Sequence, residues 1–149
     1  MHKADLSELP CSLARSLQVV GEWWTLLVLR DLCSGWNRFD EIHEHLGIAR
    51  NILKARLDSL IENGMAYRRP YCERPARYEY LPTEKGLDFV PAMLAIVAWG
   101  DRWTSQGRPP MLFTHLSCGR DTTAAVVCSA CGAPLAPGDI DSRPAAVTQ

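Results

Sequence analysis

The chain has 149 residues, a size that suits one domain with a small appendage. About 47% of the residues are hydrophobic and 22% charged, enough apolar material for one modest core. No apolar run is long enough to span a membrane, and the start MHKADLSELP lacks the apolar stretch of a signal peptide, so a cytoplasmic protein is expected. Net charge is -1 and the pI about 6.4, so a nucleic-acid surface must be local rather than global. Such a concentration exists. Between Arg50 and Arg77 there are seven basic residues and three acidic ones.

In chain order, residues 11–20 form a short helix after Pro10, with Leu13, Leu17 and Val20 on one face. Trp23 to Leu32 is almost continuously apolar and predicts a buried helix, ended by Ser34 and Gly35. Phe39 to Leu46 is amphipathic, with Phe39, Ile42 and Leu46 inward, and Gly47 stops it. A further helix runs over about 49–63. Its inner stripe is Leu53, Leu57, Leu60 and Ile61, and Arg50, Asn51, Lys54 and Ala55 fall on the other side. Two helices joined by a glycine turn, the second with a polar and basic outer face, make a helix-turn-helix. A hairpin over about 65–81 follows, with arginines at and near its tip. Thr83 caps a long helix from Glu84 to Trp103, kinked at Pro91. Leu87, Val90, Leu94 and Val97 repeat along it in near-heptad fashion.

These elements predict a mainly α fold: a winged helix-turn-helix over residues 8–104 with a small β-hairpin wing. A Gly/Pro-rich linker spans 105–110, a small Cys/His segment spans 111–141, and 142–149 reads as a disordered tail. In the Cys/His segment, His115-x-x-Cys118-Gly119 is followed nine residues later by Cys128-x-x-Cys131-Gly132. Two such pairs look like the knuckles of a zinc ribbon, because zinc favours four nitrogen or sulfur donors in a tetrahedron. All four positions are filled, so the expected site is structural. A ribbon that has lost its metal, or a disulfide between the cysteines, are the competing readings.

The order of elements and several local motifs resemble the HxlR-type regulators, relatives of the MarR winged-helix group. Cys11 precedes the first helix, and Gly21 to Arg30 reads GEWWTLLVLR. Arg38 and Phe39 with Ile42 begin the next element. Leu53, Arg56, Leu57, Leu60 and Gly64 fit the recognition helix, and Tyr78, Tyr80, Thr83, Gly86 and Trp99 complete the pattern. The resemblance covers roughly residues 10–103. One departure is that Ala49 and Arg50 stand where family members often carry a capping serine, which weakens the cap by about 1 kcal/mol or lets Asn51 shift the helix start.

The resemblance implies a homodimer on double-stranded DNA, with Leu87, Val90, Leu94 and Val97 at the subunit interface. Arg50, Asn51 and Lys54, near the start of the recognition helix, are the candidates for base contacts in the major groove. Arg56 suits a phosphate or a buried acid. Arg74 and Arg77 suit phosphates or the minor groove, and Arg38 suits the backbone. Repression by occluding a promoter is the expected outcome. Cys11 sits at a helix start, where the helix dipole favours an anion, and is the candidate oxidant sensor. Cys33 and Cys72 are weaker ones, with Cys72 exposed at the wing tip. His2, His43 and His45 read as surface residues without identified partners.

Three other readings compete. An enzyme is disfavoured, since no phosphate loop, nucleophile elbow or catalytic carboxylate pair is present. A protein-interaction module would not need Arg50, Asn51 and Lys54 on one exposed face. A sensor with an interhelical pocket for a small-molecule effector would draw on Trp23, Trp24, Trp99, Trp103 and Phe113.

Overall fold

The computed structural model describes Leu6, residues 9–106 and residues 108–144. His2 and residues 145–149 of the expected tail lie outside the described residues. Six helices and two small antiparallel sheets are formed among them. The chain divides into two compact units, one through Met93 and one from Leu94 onward. This division falls within a helix, ahead of the expected linker at 105–110.

Helix α1 (Ser12–Val20) buries Ala14 and Val20, while Leu13 and Leu17 are exposed. Helix α2 (Thr25–Cys33) supplies Val28, Leu29 and Leu32 to the core. It begins two residues later than the apolar run. Trp24 packs against the core from the N-cap position, and Trp23, expected within a buried helix, is 90% exposed. Helix α3 (Phe39–Leu46) opens with the Glu41 carboxylate accepting from the Arg38 amide at 3.3 Å. It ends at Gly47, whose φ of 63° is left-handed backbone that glycine adopts without steric cost. Ile48 is buried in the turn. Helix α4 (Arg50–Glu62) then buries Leu53, Leu57 and Leu60. Leu29, Ile42, Leu53, Leu57 and Leu60 are the largest fully buried apolar side chains, each contributing about 1.5–3 kcal/mol of burial.

Strands β1 (Ala66–Glu73) and β2 (Ala76–Pro82) pair as the wing, with a register shift between Pro70 and Cys72. The wing is tied to the helix-turn-helix at its base. The Tyr80 amide donates to Asn37 at 2.7 Å, and Arg38 bridges to Glu79 as a minimal third strand. Thr83 caps the next helix as its sequence predicts, its hydroxyl accepting from the Gly86 amide at 3.2 Å and donating to the Gly64 carbonyl at 2.6 Å. Pro91 does more than kink that helix. Without an N–H to offer the preceding turn, it separates α5 (Glu84–Asp88) from α6 (Val90–Trp103), with Phe89 between them.

In the second unit, β3 (Phe113–His115) and β4 (Arg120–Thr122) form a short hairpin, and Val127 bridges to Pro134 in a second reversal. None of residues 111–144 is buried. No helix among the described residues is long and apolar enough to cross a membrane.

Candidate nucleic-acid interface

The glycine turn between α3 and α4 sets which side of α4 faces solvent. Because Leu53, Leu57 and Leu60 face the core, Arg50, Asn51, Lys54 and Ala55 are left exposed on the opposite side. The helix starts at Arg50 with Ala49 at the N-cap and no side-chain cap, so Asn51 does not displace the start. The first amides of α4 are therefore free of a side-chain acceptor, a helix end that favours anions.

Most bases of this surface are held by acids of the same chain. Arg50 Nη2 lies 2.6 Å from Asp40 Oδ1, with its guanidinium 5.5 Å from the Phe39 ring centroid. Lys54 bonds Asp58 one turn on, and that hydrogen bond, reinforced by the carboxylate charge, raises the lysine pKa. Arg69 pairs with Glu79 at 2.7 Å. Arg38 sits 4.9 Å from the Tyr71 ring and 3.8 Å from Glu41. Arg68 lies over Tyr78. Among the described residues Arg74 and Arg77, toward the wing tip, have no acidic partner. Arg77 and Arg38 line a polar notch of about 570 Å³ between the wing and the start of α3, which Asp40, Glu41 and Glu44 also line.

Arg56 stands apart from this group. Its guanidinium reaches Glu22 at 3.2 Å, its side chain is only 21% exposed, and its Nε is buried without a partner. The structure thus places Arg56 against an acid of its own chain rather than on the exposed face with Arg50, Asn51 and Lys54.

Sequence reasoning missed the group beneath the turn. Asp31, 1% exposed, accepts from Arg30 at 2.7 Å and from His45 Nδ1 at 2.7 Å, and Trp36 stacks on the His45 ring with centroids 4.6 Å apart. His43 Nδ1 donates to the Ile48 carbonyl at 2.7 Å, inside the helix-turn-helix bend. Of these histidines, both read as surface residues without identified partners, His45 ties α3 to α2 and His43 closes the bend. The available signal was an aspartate inside an otherwise apolar run, since a buried carboxylate requires partners.

Of the cysteines, Cys11 is an exposed free thiol at the N-cap of α1. Burial pushes the half-buried Cys33 thiol up. Cys72, expected exposed at the wing tip, is half-buried, its thiol 3.7 Å from the Arg74 carbonyl. In the second unit His115 Nδ1 is 3.4 Å from Cys118 Sγ, and the Ala130 and Cys131 amides lower the pKa of Cys128 by bonding its sulfur. Among the described residues no three His, Cys, Asp or Glu side chains gather as one metal group.

On the long helical stretch, Leu87 is 49% exposed and Val90, Leu94 and Val97 are half-buried. Leu94 and Val97 line a cavity of about 60 Å³ with Met111, Leu112 and Phe113. The most exposed apolar residues of α6 are Ile96 at 53%, Trp99 at 61% and Trp103 at 63%, a stripe at helical spacing.

Known proteins share this arrangement. An uncharacterised HTH-type transcriptional regulator of Mycobacterium tuberculosis is 37% identical over 134 residues, 89% of this chain and 85% of that protein. The structure of PA1607, assigned as a transcription factor, superposes with a TM-score of 0.82 at 32% identity, covering 94% of this chain and 99% of its own. The Bacillus subtilis transcriptional regulator YodB, solved in a reduced form and after diamide treatment, covers 66% of this chain and 98% of its own in the reduced form, at 30% identity and a TM-score of 0.56. These relatives are transcription regulators, not enzymes. The HxlR-like helix-turn-helix pattern matches residues 19–108, and the chain belongs to that family of transcriptional regulators.

Proposed function

We propose that the protein binds double-stranded DNA sequence-specifically as a homodimer, with α4 in the major groove and the wing on the backbone or minor groove, and represses by occluding a promoter. The observation that carries this reading is the exposed face of α4, where Arg50, Asn51 and Lys54 stand together at the end of the helix that approaches bases. Arg50 suits a guanine edge and Asn51 an adenine edge. Arg74, Arg77 and Arg38 suit phosphates. One recognition helix offers too small a contact for strong specificity, and a dimer reading half-sites about 34 Å apart supplies the second. The exposed stripe Ile96, Trp99 and Trp103 of α6 is an apolar surface a second subunit would cover.

The test is binding to the duplex upstream of the protein's own gene across a salt series, beside the Arg50→Ala/Lys54→Ala variant. Sequence-dependent binding with a steep salt slope, lost in the variant, supports the reading. Equal binding to random duplex, or an unaffected variant, transfers the role to a protein-interaction surface.

A second reading concerns the input. Cys11 is an exposed free thiol, and a structural relative has been solved both reduced and after treatment with a thiol oxidant. We propose that oxidation at Cys11 modulates DNA binding. Loss of the diamide response in Cys11→Ser, with affinity otherwise unchanged, is the expected result, and a retained response excludes this thiol.

A further inference from the structure

The C-terminal segment has ordered turns but no apolar core. None of residues 111–144 is buried, and Leu116, Met111 and Ile140 are 93%, 67% and 63% exposed. Segments this small usually need a disulfide or a metal to hold them.

What the segment has instead is the same turn twice. In the first, the His115 carbonyl accepts from the Cys118 amide at 3.1 Å and from the Gly119 amide at 2.8 Å. In the second, the Cys128 carbonyl accepts from the Gly132 amide at 2.8 Å, while the Cys128 amide donates to Ala133. Gly119 and Gly132 have φ of 67° and 74°, left-handed values that disfavour any other residue. The first turn brings its two donor side chains together, with His115 Nδ1 and Cys118 Sγ 3.4 Å apart, and the second places Cys128 and Cys131 at the same sequence spacing.

We infer that His115, Cys118, Cys128 and Cys131 form a structural zinc site that joins the two turns and serves as the core of this segment. Three sulfurs and one imidazole suit zinc, and four protein donors leave no position for a substrate. Both backbone turns are formed, but no three such donors gather among the described residues. Binding therefore includes closing one turn on the other, so metal affinity and folding of the segment are coupled. The nine residues from Gly119 to Val127 can extend to about 30 Å, so chain length does not prevent closure.

The full chain, purified under reducing conditions without added metal, is analysed for zinc and then reconstituted with cobalt(II). One zinc per chain is expected, with the intense visible bands of tetrahedral cobalt and a thiolate charge-transfer band. Metal should protect Cys118, Cys128 and Cys131, but not Cys11, from alkylation as read by mass spectrometry. Binding should be lost in Cys128→Ser and weakened in His115→Ala, with the helical circular dichroism of the full chain kept. Substoichiometric metal after reconstitution, a weak octahedral cobalt spectrum, or unchanged affinity in Cys118→Ser would overturn the site. So would a Cys128–Cys131 disulfide recovered under the same reducing conditions, which would make the pair a redox dithiol instead.

Discussion

Replacing Arg50 by alanine tests the reading helix most sharply, because the structure shows what Arg50 must leave in order to reach a base. In the free chain its guanidinium is 2.6 Å from Asp40, with the two side chains 62% and 72% exposed. An exposed pair of this kind is worth only about 0.2–1 kcal/mol. A bidentate arginine–guanine contact is worth about 1–3 kcal/mol of discrimination. Exchanging one for the other leaves a net gain of about 1–2 kcal/mol per half-site, or roughly 5–30-fold in affinity. A dimer that reads two half-sites should lose about twice that free energy in Arg50→Ala. Asp40→Ala should act in the opposite direction, tightening binding roughly 1.5–5-fold per half-site, because it frees Arg50 and removes an acid from the surface. In the Arg50→Ala background the benefit of Asp40→Ala should shrink, since the two residues act through one pair. Fluorescence anisotropy with the upstream duplex, repeated over a salt series, gives all four affinities of the cycle. A base contact leaves the salt slope nearly unchanged, whereas a phosphate contact lowers it by about 0.9 per subunit. If Arg50→Ala binds as tightly as the parent, or Asp40→Ala weakens binding, Arg50 does not read the operator.

Other substitutions test the scaffold and the assembly. A Cβ on Gly86 would stand 2.2 Å from the Met65 carbonyl oxygen, so Gly86→Ala should force the wing base away from α5 and cost on the order of 2–4 kcal/mol, read as a lowered midpoint in urea. Asp31→Ala removes the shared acceptor of Arg30 and His45. Because those partners are 48% and 40% exposed, about 1–3 kcal/mol is expected rather than the larger cost of breaking a fully buried pair, visible as a fall in Tm. Trp99→Glu places a charge in the exposed stripe of α6. Light scattering should then find a monomer, with DNA binding weakened and helical content retained; an unchanged dimer would assign the interface to another surface.

The winged helix was readable in the sequence because its local signals agree. Gly47 marks the turn, Leu53, Leu57 and Leu60 repeat at helical spacing, and Thr83 sits where its hydroxyl caps the next helix. Periodicity reports which residues share a face, but not whether that face meets the core or water. It therefore left open which way Leu13 and Leu17 face, both exposed in the single chain, and extended the buried run to Trp23. The heptad-like spacing of Leu87, Val90, Leu94 and Val97 does not run along one unbroken helix. The break at Phe89, ahead of Pro91, separates Leu87 on α5 from Val90, Leu94 and Val97 on α6, and Leu94 and Val97 line a cavity with residues of their own chain. Within the candidate site, the exposed trio Arg50, Asn51 and Lys54 followed from helix phase alone. The Asp40 and Glu22 partners of Arg50 and Arg56 did not, since they join residues ten or more positions apart through tertiary packing.

Those partners bear on how a chain with net charge -1 can address a polyanion. Arg50, Lys54 and Arg69 each have an acid within bonding distance in the free protein, so much of the basic surface between Arg50 and Arg77 is neutralised before any DNA arrives. In the proposed complex, binding would exchange intrachain pairs for phosphate and base contacts, and the Coulombic gain per arginine would be smaller than for an unpaired cation. Non-specific affinity, which depends almost wholly on charge, is reduced more by this arrangement than specific affinity, which also draws on hydrogen bonds to base edges. Arg74 and Arg77, without acidic partners among the described residues, would make the first electrostatic contact from the wing in the proposed complex. The acids around the recognition helix thus favour release from wrong sequences, because each must give up its own base before a base pair can be read.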